Sequence, residues 1–336
     1  MKKELVKLSA SRIKTLQTCS WTYYCNYILK LPQKNNSGAM RGTIAHLIFE
    51  VLGNPRRADY VTRIVGEGTA LKEKSIFALI IKTAKSEGLD LDEMVPPLTK
   101  KGVDVTNLVL IDQMILTGLK FDFISGNEVV GTELSFDITN ESPQYRIRGF
   151  VDRVFEEGED LVIRDFKSSK KTFKGEELSS NLQAMIYTLA MKKEFKKHKN
   201  VLVKFLFLRF PKAPEQECPK FTDEELEGFE EYLAYISEYL EDFTEEKGKS
   251  NYASESWSTK WLCKAGKTWR CPYIDPIEYK MLLNEKGVMI KSIFATEDFK
   301  PSDIKKGWTV ELRKYEGCPA HKLTATAAAG PNDFGF

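Results

Sequence analysis

The sequence predicts an α/β fold, with a mixed central sheet flanked by helices and a helical N-terminal part. Two observations predict it. Three short β-branched segments follow one another at 129–137 (VVGTELSFD), 144–155 (QYRIRGFVDRVF) and 160–167 (DLVIRDFK), separated by turn-like NESP and EEGE. That is the pattern of a three-stranded meander. A helical stretch at 180–198 then leads into VLVKFLFLRF (201–210), a nearly continuous apolar run that suits a strand buried on both faces.

The elements follow in order. An amphipathic helix is expected over about 10–29, capped by Ser9 or Ser11, with Ile13 and Leu16 on one side. SGAMRGT (37–43) reads as a turn and AHLIFEVL (45–52) as the start of another helix. Residues 57–125 read mainly as helices, broken by MVPPLTKKG (94–102). After the meander, Leu182, Met185, Ile186 and Leu189 form the apolar stripe of the 180–198 helix. Thr222 and Glu225 make a capping-box pattern that opens a helix to about 243, with Leu226, Phe229, Leu233, Ile236 and Leu240 inward. The core order is therefore β-β-β-α-β-α. Residues 250–320 have no clear periodicity, and the small-residue tail 322–336 is expected to be disordered. The expected parts are 1–127 (helical), 128–246 (the β-β-β-α-β-α core), 247–321 (Cys-containing) and the tail.

Composition sets the class. Apolar residues make up 42% and charged residues 29%, an ordinary balance for a soluble globular protein. No window holds the roughly 18 apolar residues of a membrane span, and MKKELVKLSASR has no apolar stretch after its lysines. A soluble protein of the cytoplasm, with no membrane partner, is expected. Net charge is only +2, from 50 basic and 48 acidic side chains, so a nucleic-acid partner must be met by a local basic surface. Residues 164–174 (RDFKSSKKTFK) offer one, with Lys170, Lys171 and Lys174; KKEFKKHK (192–199) reads as a solvated helix face.

Chemistry concentrates in VIRDFKSSK. Alternate side chains of a strand share a face, so Asp165 and Lys167 point the same way and Phe166 points away. A carboxylate and an amine so placed suit one kind of chemistry, in which the first binds a divalent cation and the second orients water or steadies charge on a phosphate. Asp152, in the neighbouring strand, is joined to them through a short turn, and paired carboxylates suit Mg²⁺ or Mn²⁺. By itself D-x-K is more often a surface cross-strand pair. Gln183 and Tyr187 lie i, i+4 on one helical face, and His46 stands in an otherwise apolar helical stretch. AGKT (265–268) ends like a phosphate-binding loop, but Trp261 occupies the first glycine position, which excludes an ATP site.

The order G-T-x-x-H (42–46), G-x-x-D (149–152), D-x-K (165–167) and Q-x-x-x-Y (183–187) resembles the PD-(D/E)XK nuclease superfamily. Within it the chain is similar to the branch of RecB-type nuclease domains and CRISPR-adaptation exonucleases, which includes many phage-encoded members. LSASRIKTLQTCSWTYYCNYIL also resembles the opening of that branch. The match covers roughly 8–50 and 128–245. It implies a restriction-endonuclease-like core and a metal-dependent DNA exonuclease of DNA repair, recombination or phage DNA metabolism. Structure-selective or nicking endonuclease is the alternative, with an inactive DNA-binding scaffold behind it. By the same resemblance His46, Asp152, Asp165 and the backbone carbonyl of Phe166 would ligate Mg²⁺ or Mn²⁺. Lys167 would be the catalytic lysine, Gln183 and Tyr187 would complete the site, and Glu133 would be an auxiliary acid. A helicase or recombinase on another chain is an expected kind of partner, in the host cytoplasm if the chain is phage-encoded.

Six cysteines (Cys19, Cys25, Cys218, Cys263, Cys271, Cys318) lie in a chain for which no secretion signal is expected, which disfavours a disulfide framework. Many relatives hold an iron–sulfur cluster with one early Cys and a late C-x2-C-x5-C. Cys19, Cys263 and Cys271 match in part, but the late run is broken at Gly266 and at Ile277. Buried thiols are therefore expected ahead of an iron–sulfur cluster, and zinc on Cys263, Cys271, Cys318 and His321 comes last.

Overall fold

The computed structural model describes residues 5–34, 36–123, 128–140, 144–263 and 271–321. The AGKT motif and the tail 322–336 fall outside the described residues. The first elements are β1 (Lys7–Leu8), α1 (Ala10–Thr18), α2 (Ser20–Tyr23), α3 (Ser37–Leu52), α4 (Ala58–Glu67) and α5 (Lys74–Glu87). Then come β2 (Met94–Val95), β3 (Val105–Thr106), α6 (Asn107–Gly118), β4 (Glu128–Thr139), β5 (Arg146–Glu157), β6 (Asp160–Lys167) and α7 (Glu176–Ser179). The chain continues through α8 (Leu182–Glu194), β7 (Asn200–Phe207), β8 (Glu215–Glu217), α9 (Asp223–Glu241) and α10 (Glu245–Gly248). It ends with β9 (Ile277–Leu283), β10 (Met289–Phe294) and β11 (Thr309–Tyr315). Contacts group residues 1–9 with 35–235, and 10–34 with 236–336.

The first unit is built on a mixed sheet. β5 pairs antiparallel with β4 and β6, and parallel with β1; β6 pairs parallel with β7, which carries β8 antiparallel on its far side. The parallel pair requires a crossover, and α8 supplies it. β6 is buried on both faces because helices cover both. Phe166 packs into a core with Phe49 of α3 and Ile111 and Met114 of α6, while Asp165, alternating with it, faces α8 through Tyr187.

Two local expectations are corrected. Residues 37–43 are the first turns of α3, not a turn: the Asn36 side chain accepts the Ala39 N–H at 3.0 Å and caps the helix. Gly42 serves close approach, since a Cβ there would stand 2.7 Å from Ser168 Oγ. The expected helix over 10–29 breaks at Cys19, whose extended backbone (φ −162°, ψ 107°) separates α1 from α2.

The second unit contains a three-stranded antiparallel sheet, β10-β9-β11, where the sequence suggested no regular pattern. The turn between β9 and β10 is made by Asn284, whose side chain accepts from Lys286 N and Val288 N at 3.0 and 2.9 Å, and by Gly287 at φ 71°. Its core joins Trp21, Tyr252, Tyr273, Tyr279 and Tyr315. The Trp21 indole donates to Tyr315 Oη at 2.7 Å, and that hydroxyl donates to the Tyr273 carbonyl at 2.9 Å. No helix among the described residues is long and apolar enough to cross a membrane.

Candidate active site

Three carboxylates stand in line across β4, β5 and β6. The β5–β6 ladder ends at Arg153 opposite Arg164, so Asp152 and Asp165 face each other one step further. There the Asp152 side chain replaces the ladder: its Oδ2 accepts the Phe166 N–H at 2.6 Å. On the other side of β5, Thr132 is opposite Arg153 and Leu134 opposite Val151, which sets Glu133 across from Asp152. Glu133 holds a left-handed backbone, φ 51°, a strained state for a non-glycine residue.

His46 closes the row from α3. Its Nδ1 lies 3.1 Å from Asp152 Oδ1 and its Nε2 lies 3.1 Å from the Phe166 carbonyl. Both partners are acceptors, an arrangement that favours the doubly protonated ring when no metal is bound. Burial opposes that charge, but the hydrogen bond and the carboxylates of Asp152, Asp165 and Glu133 overcome it and lift His46 to about 9. Burial, then Asp152, pushes Glu133 up to about 7. Ligand atoms of His46, Glu133 and Asp152 all lie within 4.8 Å of one another. Carboxylate oxygens, one imidazole nitrogen and a backbone carbonyl form a donor set that fits Mg²⁺ or Mn²⁺.

Asp165 is held from the opposite direction. It is 3% exposed, and its Oδ1 accepts from Gln183 Nε2 at 2.8 Å and from Tyr187 Oη at 3.0 Å. Its Oδ2 pairs with Lys167 Nζ at 2.5 Å, and that ammonium donates to Gln183 Oε1 at 2.7 Å. Asn181 caps α8 by accepting from Gln183 N and Ala184 N, which turns Gln183 and Tyr187 toward β6. Burial raises the Asp165 carboxyl above its ordinary range, against the pull of Lys167. The expected residues thus fall into two groups that meet at the end of β6. One comprises His46, Asp152 and the Phe166 carbonyl; the other comprises Asp165, Lys167, Gln183 and Tyr187.

Behind the acids lies a group that sequence reasoning missed. Arg153 and Arg164, on the reverse faces of β5 and β6, share Asp122 from the π-helical segment Leu119–Phe123 that follows α6. Arg153 Nε is 2.5 Å from Asp122 Oδ2 and Arg164 Nη1 is 3.1 Å from Oδ1, while Arg164 also pairs with Glu215. This bridge fixes the pair of strands one residue away from Asp152 and Asp165. The spacing of D-R in β5 and R-D in β6 is its only local signal.

Lys170, Lys171 and Lys174 are exposed on the loop after β6, which is anchored where Phe173 N donates to Gln216 Oε1 at 2.9 Å and its ring packs on Phe205 and Phe207. Cys19, Cys263 and Cys271 share the core of the second unit with Cys25 and Cys318, and none of the five is in a disulfide. Burial pushes Cys263 and Cys318 up to about 11 and Cys25 further above its ordinary value. Cys218 lies apart and donates to the Leu178 carbonyl.

The family model described as the PD-(D/E)XK nuclease superfamily matches residues 7–275. No curated protein matches. Among solved structures, the chain is similar to a Eubacterium rectale protein described as a candidate exonuclease. That likeness has 8% identity and a TM-score of 0.45, covers 78% of this chain and 90% of that one, and adds no weight to the family match.

Proposed function

The chain belongs to the PD-(D/E)XK nuclease superfamily, and on that premise we propose that it is a metal-dependent DNA exonuclease. The observation that carries the proposal is the meeting of His46, Asp152 and the Phe166 carbonyl with the Asp165–Lys167 pair at the end of β6. His46, Asp152, Asp165 and the carbonyl would hold Mg²⁺ or Mn²⁺, with Glu133 beside them. When bound, that ion supplies an activated water and neutralises charge on the phosphate. His46 must then give up a proton, because only its neutral form ligates. Lys167 lies beside Asp165, where its ammonium orients the attacking water and steadies the charge that develops on the phosphate oxygens. Gln183 and Tyr187 fix Asp165 and Lys167 in that orientation. Lys170, Lys171 and Lys174 would bind the DNA backbone.

A ligating histidine on a helical lead supports exonuclease action, with work in DNA repair, recombination or phage DNA metabolism. Labelled linear duplex, linear single strand and closed circular DNA, each with Mn²⁺, Mg²⁺ or EDTA, test it. Release of mononucleotides or short products from linear DNA only, abolished by EDTA, is the expected result. Cutting of the closed circle would replace exonuclease by endonuclease, and no cleavage of any substrate would sink the proposal.

A further inference from the structure

One large aromatic side chain beside the acid row is left open to solvent. Phe150 of β5 is 52% exposed, while Val151 next to it is 0% exposed. Phe136, opposite Gly149, meets Tyr187 of α8 edge-on at 6.1 Å, so Gly149 and Val151 face α8. Phe150 takes the other side, the side on which α3 lies. The alternation shifts at Asp152, whose side chain lies along the sheet toward the Phe166 N–H, and Arg153 then meets Asp122. Ser135, directly across from Phe150, is small and itself exposed, so it leaves the ring open. A β-branched polar residue such as Thr serves a solvent-facing strand position as well. The sheet therefore gives no reason for a phenyl ring there.

The position supplies one. β4 runs along one side of β5. On the other side the ladder to β1 stops at Ile147 and the ladder to β6 begins at Arg153. Residues 148–152 have no strand beside them there among the described residues, and Asp152 ends this gap. Next to Asp152 a cavity of about 580 Å³ is lined by Thr43, His46 and Leu47 of α3 and by Glu133. Phe150 is two residues from Asp152, about 7 Å at 3.3 Å per residue. Arg148, two residues further, is also exposed. Asp137, opposite Arg148, is already paired with Arg146 at 2.6 Å.

We propose that Phe150 is a stacking platform for an unpaired base of the DNA strand that enters the acid row, with Arg148 on a neighbouring phosphate. Every base offers a flat π face to such a ring, and the guanidinium suits the backbone. A DNA strand advances about 3.4 Å per nucleotide, so a step of about 7 Å sets the stacked base one or two nucleotides from the phosphate at the acids. A base inside a duplex is stacked on both faces already, so the platform selects a single strand or a frayed end. The proposal rests on the nuclease reading for its choice of DNA.

The test uses the full chain in EDTA, where no cleavage occurs. Anisotropy titrations with a single-stranded oligonucleotide and with a blunt duplex of the same sequence are run for wild type, Phe150→Ala, Phe150→Leu and Phe150→Trp, beside sedimentation of each protein. Phe150→Ala should weaken single-strand binding roughly 10- to 100-fold, the scale of one lost base–aromatic stack, and duplex binding much less. Phe150→Leu should stay close to Phe150→Ala, because it keeps apolar bulk without a π face, and Phe150→Trp should bind as wild type. Arg148→Gln should lower the log–log salt slope of single-strand binding by about 0.7, and Phe150→Ala should leave that slope unchanged. Single-strand binding of Phe150→Ala or Phe150→Leu equal to wild type would overturn the proposal. Equal weakening on single strand and duplex would overturn the selection of unpaired bases. A wild-type dimer that Phe150→Ala dissociates would also overturn it, and the face would join two copies of this chain. If Phe150-dependent single-strand binding is found but Mn²⁺ gives no cleavage, the nuclease reading fails and this platform stands.

Discussion

Two charged clusters sit back to back on β5 and β6, and they are finished in opposite ways. On one face Arg153 and Arg164 are closed by Asp122 and Glu215, so the protein itself balances the charge. On the other face Glu133, Asp152 and Asp165 are answered by His46 and Lys167, and His46 balances only while it holds an extra proton. In the first cluster two guanidiniums meet two carboxylates. The second carries an excess of negative charge that a divalent cation would complete. Buried charge that the chain neutralises reads as architecture, and buried charge left in excess reads as a place for a ligand.

The largest expected effect breaks the acid side alone. Asp165→Asn or Lys167→Ala should lower cleavage of linear DNA by at least about 100-fold, the scale for losing one group that stabilises developing charge. The melting temperature should stay within a few degrees of wild type. A folded variant that cuts at the wild-type rate would remove these residues from the reaction.

The arginine side should behave in reverse. Asp122→Ala leaves two buried guanidiniums short of a partner and should cost about 3–5 kcal/mol in urea unfolding. At temperatures where the variant is folded, cleavage should persist. Neutral stability would mean that Glu215 and solvent already suffice.

A third effect is pH dependence of the metal-free chain. His46 is raised from 6.5 to about 9 in the folded state. Its contribution to stability is therefore complete below about pH 6.5 and is lost as pH rises through about 9. Melts across that window should fall for wild type in EDTA, and His46→Gln should flatten the fall. An equal fall in both would place its origin in another group.

The smallest effect concerns the loop after β6. Neutralising Lys170, Lys171 and Lys174 should flatten the salt dependence of DNA binding by about 0.9 in log–log slope for each lysine that meets a duplex phosphate. An unchanged slope would put the DNA path elsewhere.

The contrast also explains what was legible in the sequence. The alternation of Asp165 and Lys167, the i, i+4 pair Gln183 and Tyr187, and the lone His46 in an apolar helix are local patterns, so a linear reading reaches them. Asp122 meets Arg153 and Arg164 only after strand register is set. Glu133 faces Asp152 through a strand that is irregular between Val129 and Gly131 and left-handed at Glu133 itself. SGAMRGT misleads because its glycines suggest a turn, when Gly42 instead admits Ser168. The C-terminal sheet escapes notice because β11 is mostly exposed, which blunts the alternation that marks a half-buried strand.

Mn²⁺ titration by calorimetry, wild type against Asp152→Asn, tests the central claim most directly. Wild type should bind Mn²⁺ and release a proton from His46, visible as a heat that varies with the ionisation enthalpy of the buffer. Asp152→Asn should lose both the binding and the proton. Mn²⁺ binding of equal affinity in the two proteins would contradict the account, because the acid row would then not be where the cation sits.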